Sequence, residues 1–156
     1  MAAPTMTIAE RRVVWNDAEL SWSLRLPGDG GRTVPPAEMA AFSHAVEDGA
    51  LVCRWRGHPL LGPAFTVTTA WREEGGLLSG TIGWTGGKPG TAVAEVRFPE
   101  AAMPAPPDGR IFHSNGHGFV LRIAAAAPAA DGTLLRVDVG AMQCSALIGP
   151  DRSWYF

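Results

Sequence analysis

The chain has little of several features that mark common protein classes. Its 156 residues include two cysteines, one tyrosine and one lysine, and the formal net charge at pH 7 is -2. No apolar run approaches the length of about 18 residues that a membrane-spanning helix needs, so we predict no membrane span. The small net charge and the lack of a basic stripe argue against binding to nucleic acid. With 46% hydrophobic residues, the chain is also too apolar to be intrinsically disordered.

The cysteines and the first residues indicate a cytoplasmic protein. Cys53 and Cys144 stand far apart and match no spacing typical of metal or redox sites. We expect two reduced, buried thiols, with a single disulfide as the alternative in an exported protein. Residues 1–10 lack the basic start and apolar run of a secretory signal. Twelve arginines against one lysine, in an alanine-rich chain, are typical of a GC-rich bacterial or phage genome.

Glycine and proline interrupt the chain at short intervals, which favours short strands. There are 19 glycines and 13 prolines. Leu20, Trp22 and Leu24 alternate with polar residues, so the pattern predicts a strand with one apolar face. The preceding run, Arg12–Trp15, is expected to pair with it through the turn Asn16–Asp17.

The most regular pattern is a hairpin over residues 65–84, with Gly75–Gly76 as its turn. In that register Trp71 lies opposite Gly80, and a shift of two residues would keep the same apolar face. We interpret that face as part of the core.

One short helix is predicted over residues 36–47. Met39, Phe42 and Val46 recur at spacings of three and four, which is typical of a helix with one apolar stripe. The pair Asp48–Gly49 then supplies a residue suited to the left-handed C-terminal position of a helix.

These elements predict one all-β domain over residues 1–156, mainly antiparallel, with about nine to ten strands. Short turns join most successive strands, so neighbours in sequence are expected to pair. A small β-barrel and a two-sheet β-sandwich both fit. We favour the barrel because small residues such as Gly80 and Gly83 lie within strands, where curvature requires them.

Six tryptophans are the main indication of a ligand pocket, because flat rings offer a large contact area at low entropic cost. The alternative is a core rich in tryptophan. Arginines that flank a tryptophan on a strand could bind a carboxylate or phosphate in two-pronged fashion, although such charges also protect edge strands. The predicted ligand-binding residues are Trp55, Trp71, Trp84, Arg54, Arg56 and His58.

His113 and His117 are the candidate catalytic residues. Four-residue spacing would suit a metal on a helix, but Asn115–Gly116 indicates a two-residue turn, which sends the two imidazoles to different faces. We therefore predict no metal site. No phosphate-binding loop and no nucleophile elbow is present, and no cofactor is predicted.

Three functions remain open at this point. The first is a small protein that binds an apolar, aromatic or sugar-like ligand in a Trp-lined pocket. The second is a cofactor-independent cyclase, isomerase or lyase on the same scaffold, which needs little more than a shaped pocket and one acid or base. The third is a subunit of a homo-oligomeric assembly, for example of a phage particle, that associates through exposed C-terminal aromatics. Those aromatics are Trp154, Tyr155 and Phe156.

Overall fold

The computed structural model describes residues 6–28, 31–102, 110–113, 119–122, 145–148 and 153–155. The chain divides into two compact units, Met1–Met103 and Pro104–Phe156. The single domain expected over residues 1–156 stays a prediction. The described elements are almost all β-strands in antiparallel sheets, which confirms the predicted fold class.

The first unit holds nine described strands, which form two sheets. They are β1 Met6–Ala9, β2 Arg12–Trp15, β3 Ala18–Arg25, β4 Thr33–Val34, β5 Ala41–Glu47, β6 Ala50–His58, β7 Gly62–Glu74, β8 Leu77–Thr85 and β9 Glu95–Ala102. In the first sheet β1 pairs with β2 and β2 with β3, while β4 and β9 both pair with β3. The second sheet is a meander in the order β5-β6-β7-β8.

Two-residue turns set the register of four hairpins. The turns are Glu10–Arg11, Asn16–Asp17, Asp48–Gly49 and Gly75–Gly76, and both residues of each have positive φ. This geometry matches the right-handed twist of paired strands, and it favours Asn, Asp and Gly. The predicted turns Asn16–Asp17 and Gly75–Gly76 are confirmed, and Trp71 lies opposite Gly80 as expected.

The helix predicted over residues 36–47 is wrong. Pro36–Glu38 forms a single turn of 3₁₀ helix, and the following residues form β5, which pairs with β6 along its whole length. Asp48–Gly49 is the turn of this hairpin and not the end of a helix. The sequence signal was ambiguous because residues with positive φ occur both in such turns and at the C-terminal ends of helices. None of the described helical segments is long and apolar enough to cross a membrane.

Aromatic side chains from both sheets meet in the core. Trp22 of β3 packs edge-on against Trp55 of β6, with ring centroids 5.5 Å apart. Trp71 of β7 contacts Phe98 of β9 at 4.9 Å. The first unit is therefore a two-sheet β-sandwich. It is not the closed barrel that the strand glycines had suggested.

The second unit has four described strands in one antiparallel sheet. They are β10 Arg110–His113, β11 Phe119–Arg122, β12 Ser145–Ile148 and β13 Ser153–Tyr155, in the order β11-β10-β12-β13. Trp154 pairs with Leu147, so two of the three C-terminal aromatics belong to the last strand of the sheet. Phe156 lies outside the described residues.

Candidate functional site

The second sheet presents a polar outer face, because side chains alternate between the two faces of a strand. On β6, Cys53 and Trp55 point to the core and are buried, whereas Arg54 is half-buried and Arg56 is exposed. Two rows of directly opposed residues cross this face. One row is Ala41, Arg56, Thr66 and Thr85, and the next is Ser43, Arg54, Thr68 and Gly83.

A cleft of about 400 Å³ opens at this outer face. We call it the arginine cleft. Its lining residues come from the adjacent strands β5, β6 and β7, and they are Ala41, Phe42, Ser43, Arg54, Arg56, Ala64 and Thr66. The small side chains on β5 and β7 leave room around the two guanidinium groups.

Arg54 is held by a carboxylate of the neighbouring strand. Its Nη1 and Nη2 atoms donate to Oε1 and Oε2 of Glu47, both at 2.7 Å. These hydrogen bonds lower the pKa of Glu47 and raise that of Arg54. The pair spans the intervening row that contains Val52, which is buried although it lies on the outer face. The two-pronged contact fixes the orientation of the Arg54 guanidinium at the cleft.

Arg56 is the unpaired charge of the arginine cleft. Within the described part of the chain its guanidinium has neither an ion pair nor a hydrogen bond. Because Glu47 neutralises Arg54, the cleft carries a net positive charge that comes from Arg56. Thr66, opposite Arg56 on β7, donates its hydroxyl to the carbonyl oxygen of Ala64 at 3.1 Å.

The tryptophans predicted to bind ligand do not line this cleft. Trp55 and Trp71 are each 2% exposed and belong to the core. The indole N–H of Trp71 donates to the Thr69 hydroxyl at 2.9 Å, so its polar atom is satisfied internally. Trp84 on the edge strand β8 is 43% exposed. The structure thus brings Arg54 and Arg56 together and separates them from the three tryptophans.

His58 is buried and connects the end of β6 to the 3₁₀ turn. Its Nδ1 accepts the backbone N–H of Leu60 at 3.3 Å, and its Nε2 lies 3.2 Å from Oε2 of Glu38. A nitrogen that accepts a hydrogen bond carries no proton, so Nε2 holds the proton and donates it to the carboxylate. Both ring nitrogens are engaged and the side chain has little exposed surface, and the predicted role of His58 in ligand binding stays a prediction.

Glu38 makes this connection sensitive to pH. Hydrogen bonds from Arg32 (2.8 Å) and then from His58 lower the pKa of Glu38 below its ordinary 4.5. Because the pKa of Glu38 is lower in the folded state than in the unfolded state, its ionised carboxylate stabilises the fold. This stabilisation is fully present at pH values above the unfolded-state pKa and is lost as the pH falls through the folded-state pKa.

We expect the wild-type protein to be more stable than Glu38→Gln at pH 6, and the difference in stability to shrink below about pH 4.5. Urea unfolding of both proteins from pH 6 to pH 3 measures this, and a constant difference would contradict it.

The histidines proposed for catalysis belong to the second unit. His113 ends β10 and pairs with Phe119 and Ser145. The expected two-residue turn Asn115–Gly116 would have placed Phe119 opposite Phe112, so that register is wrong by one residue. Five residues, 114–118, separate His113 from Phe119, and they lie outside the described residues. His117 lies outside the described residues.

The described residues contain neither a metal site nor a reactive thiol. No group of three or more His, Cys, Asp or Glu side chains lies within metal-binding reach in these ranges. Burial raises the pKa of the Cys53 thiol to about 11, which keeps it protonated and unreactive. Cys144 lies outside the described residues.

Two polar cleft residues, Ser43 and Thr66, were not among the predicted site residues. Ser43 falls within the segment predicted as a helix, and Thr66 falls within the predicted hairpin over residues 65–84. Only the pairing of β5 with β6, and of β6 with β7, brings them beside the arginines. The alternation around Trp55 was the one local signal of the site.

No known protein family, curated protein or solved structure matches this chain.

Proposed function

We propose that the chain is a binding protein for a small ligand with a carboxylate or phosphate group, which it holds in the arginine cleft. One observation carries this proposal. Arg56 lines a cleft of about 400 Å³ and has no acidic partner among the described residues. A guanidinium presents several donors in a planar fork that matches the oxygens of a carboxylate or phosphate.

The other lining groups support an anion with a polar body. Arg54 adds a second guanidinium group, and its ion pair with Glu47 fixes the direction of that group, so a ligand does not have to order it. Ser43 offers a hydroxyl beside Arg54, and Phe42 contributes to the lining. With Trp55 and Trp71 packed in the core, we assign recognition to charge and hydrogen bonding instead of to stacking on these rings.

The test is the loss of anion binding in Arg56→Gln. Calorimetric titration with inorganic phosphate, and separately with acetate, should give a dissociation constant about 10- to 100-fold higher for the variant than for the wild-type protein. This range corresponds to one charge-assisted hydrogen bond, or a pair of them. Because Arg56 is exposed, the variant should keep the unfolding midpoint of the wild-type protein.

Arg72→Gln is the matched control. Arg72 lies on the outer face of β7, is exposed, and does not line the arginine cleft. Arg72→Gln removes the same positive charge as Arg56→Gln, so a general electrostatic effect would weaken anion binding equally in both variants. The proposal fails if the two variants lose affinity to the same extent, or if the wild-type protein binds neither phosphate nor acetate.

A further inference from the structure

Strand β5 lies at the edge of the second sheet and is unusually exposed to solvent. Among the described strands it pairs only with β6, and every one of its residues except Phe42 is exposed. Natural edge strands are normally protected by proline, lysine, a bulge or very short length. β5 has none of these, since its seven residues, AFSHAVE, pair with β6 in an unbroken register. No other described strand therefore pairs with its outer backbone groups.

We propose that β5 pairs antiparallel with β5 of a second copy of this chain, in a register centred on His44. Residues that lie opposite each other on neighbouring strands point to the same face of the sheet. A symmetric antiparallel pair of β5 strands must therefore be centred on a residue and not between two residues. Only the register that places His44 opposite the His44 of the second copy engages all seven residues. In this way the two second sheets join into one continuous sheet of eight strands.

The apolar side chains of β5 complement each other in this register. Phe42 comes to lie opposite Val46 of the second copy, and the reverse contact forms at the other end. An aromatic side chain opposite a β-branched one is a favourable pair across strands. Val46 is 77% exposed in the single chain, so pairing covers an apolar side chain that otherwise contacts water. His44 stacks on Phe42 at 5.7 Å, which orders the centre of the strand.

The polar side chains of β5 do not oppose this pairing. Glu47 of each copy lies opposite Ala41 of the other, so no acidic side chain meets another. Glu47 is already bound through both carboxylate oxygens to Arg54 of its own chain, and it therefore brings no bare charge to the interface. The other edge strand, β8, is less suitable because Gly80 and Gly83 within it weaken strand pairing.

Disulfide trapping tests the register directly. In a Cys53→Ala, Cys144→Ser background the chain has no native thiol, so a cysteine at position 44 cannot bond to Cys53, its neighbour on β6. His44→Cys would place two thiols opposite each other, where Cα atoms of paired residues lie about 4.5–5.5 Å apart and allow a disulfide. Val46→Cys is the matched control, because the two Val46 positions would be about 13 Å apart along the strands. Mild oxidation followed by non-reducing electrophoresis gives the dimer fraction.

We expect His44→Cys to form covalent dimer about tenfold faster than Val46→Cys, because pairing raises the effective thiol concentration. Random collision predicts no such preference, since His44 and Val46 are both exposed. Equal rates would overturn the proposal, as would faster trapping of Thr81→Cys at the centre of β8.

Sedimentation velocity adds a test without cysteines. His44→Lys, which opposes two ammonium groups, should abolish a concentration-dependent dimer that His44→Gln retains, and a strictly monomeric wild-type protein would also overturn the proposal.

Discussion

Replacing Trp22 with alanine is expected to lower the free energy of unfolding by about 3–5 kcal/mol, which is a large share of the stability of a typical domain. Trp22 is 1% exposed and contacts Trp55 across the interface of the two sheets. Alanine would leave a cavity between these two sheets, which no pairing of the described strands connects. Urea denaturation followed by far-UV circular dichroism measures the change without relying on tryptophan fluorescence.

Two further variants separate packing from the polar atom of Trp22. Its indole N–H has no hydrogen-bond partner among the described residues, so Trp22→Phe removes ring volume without breaking a hydrogen bond. We expect this variant to lose less than half as much stability as Trp22→Ala. Trp84→Ala, at a 43% exposed position, should cost about 1 kcal/mol or less. A Trp22→Ala effect no larger than that of Trp84→Ala would show that Trp22 does not join the sheets.

The strands and turns that the sequence predicted correctly are those with local signals. The alternation around Trp22 and the pair Gly75–Gly76 each lie within a few residues of the element they determine. A turn whose two residues adopt positive φ fixes the pairing of both flanking strands. The register that places Trp71 opposite Gly80 therefore followed from the turn alone.

The segment of residues 36–47 shows where local signals fail. Met39, Phe42 and Val46 fit a helical stripe, but Phe42 and Val46 also share one face of a strand. Met39 is buried beyond the 3₁₀ turn, while Val46 is exposed on β5. Pairing with β6, a neighbour whose presence no local pattern reveals, decided between the two structures.

The arginine cleft was predictable only in part. Alternation around the buried Trp55 correctly put Arg54 and Arg56 together on one face. The role of Trp55 itself did not follow, because a tryptophan on a strand suits a pocket and a core equally well. The cleft also needs small residues on β5 and β7, and their position depends on the pairing of strands that are distant in sequence.

Gly80 and Gly83 had been interpreted together as positions of strong curvature, but their surroundings differ. Gly80 lies opposite Trp71, and a Cβ atom there would lie 2.7 Å from the Cε3 and Cζ3 atoms of Trp71 and 3.0 Å from Cζ of Phe98. A Cβ atom at Gly83 would have no atom within 4 Å. The first glycine provides room for two packed aromatic rings, whereas the second lies on the open face of an edge strand.

Gly80→Ala should therefore destabilise the protein by about 1–3 kcal/mol through overpacking. Gly83→Ala, the matched control on the same strand, should be neutral or stabilise it by up to about 1 kcal/mol, because alanine loses less backbone entropy on folding. Chemical denaturation of the two variants beside the wild-type protein measures both effects. Equal changes would mean that the strand conformation, and not the Trp71 ring, determines the cost.

A double-mutant cycle identifies the ring that Gly80 accommodates. Trp71→Leu by itself should be destabilising, because Trp71 is buried and contacts Phe98. In the Trp71→Leu background the aromatic atoms at 2.7 Å are gone, so adding Gly80→Ala should cost less than it does in the wild-type protein. The expected coupling is about 1–2 kcal/mol, in the direction that makes the double variant more stable than the sum of the single changes predicts. A coupling near zero would indicate that the added methyl group clashes with Phe98, the other ring within its reach, and not with Trp71.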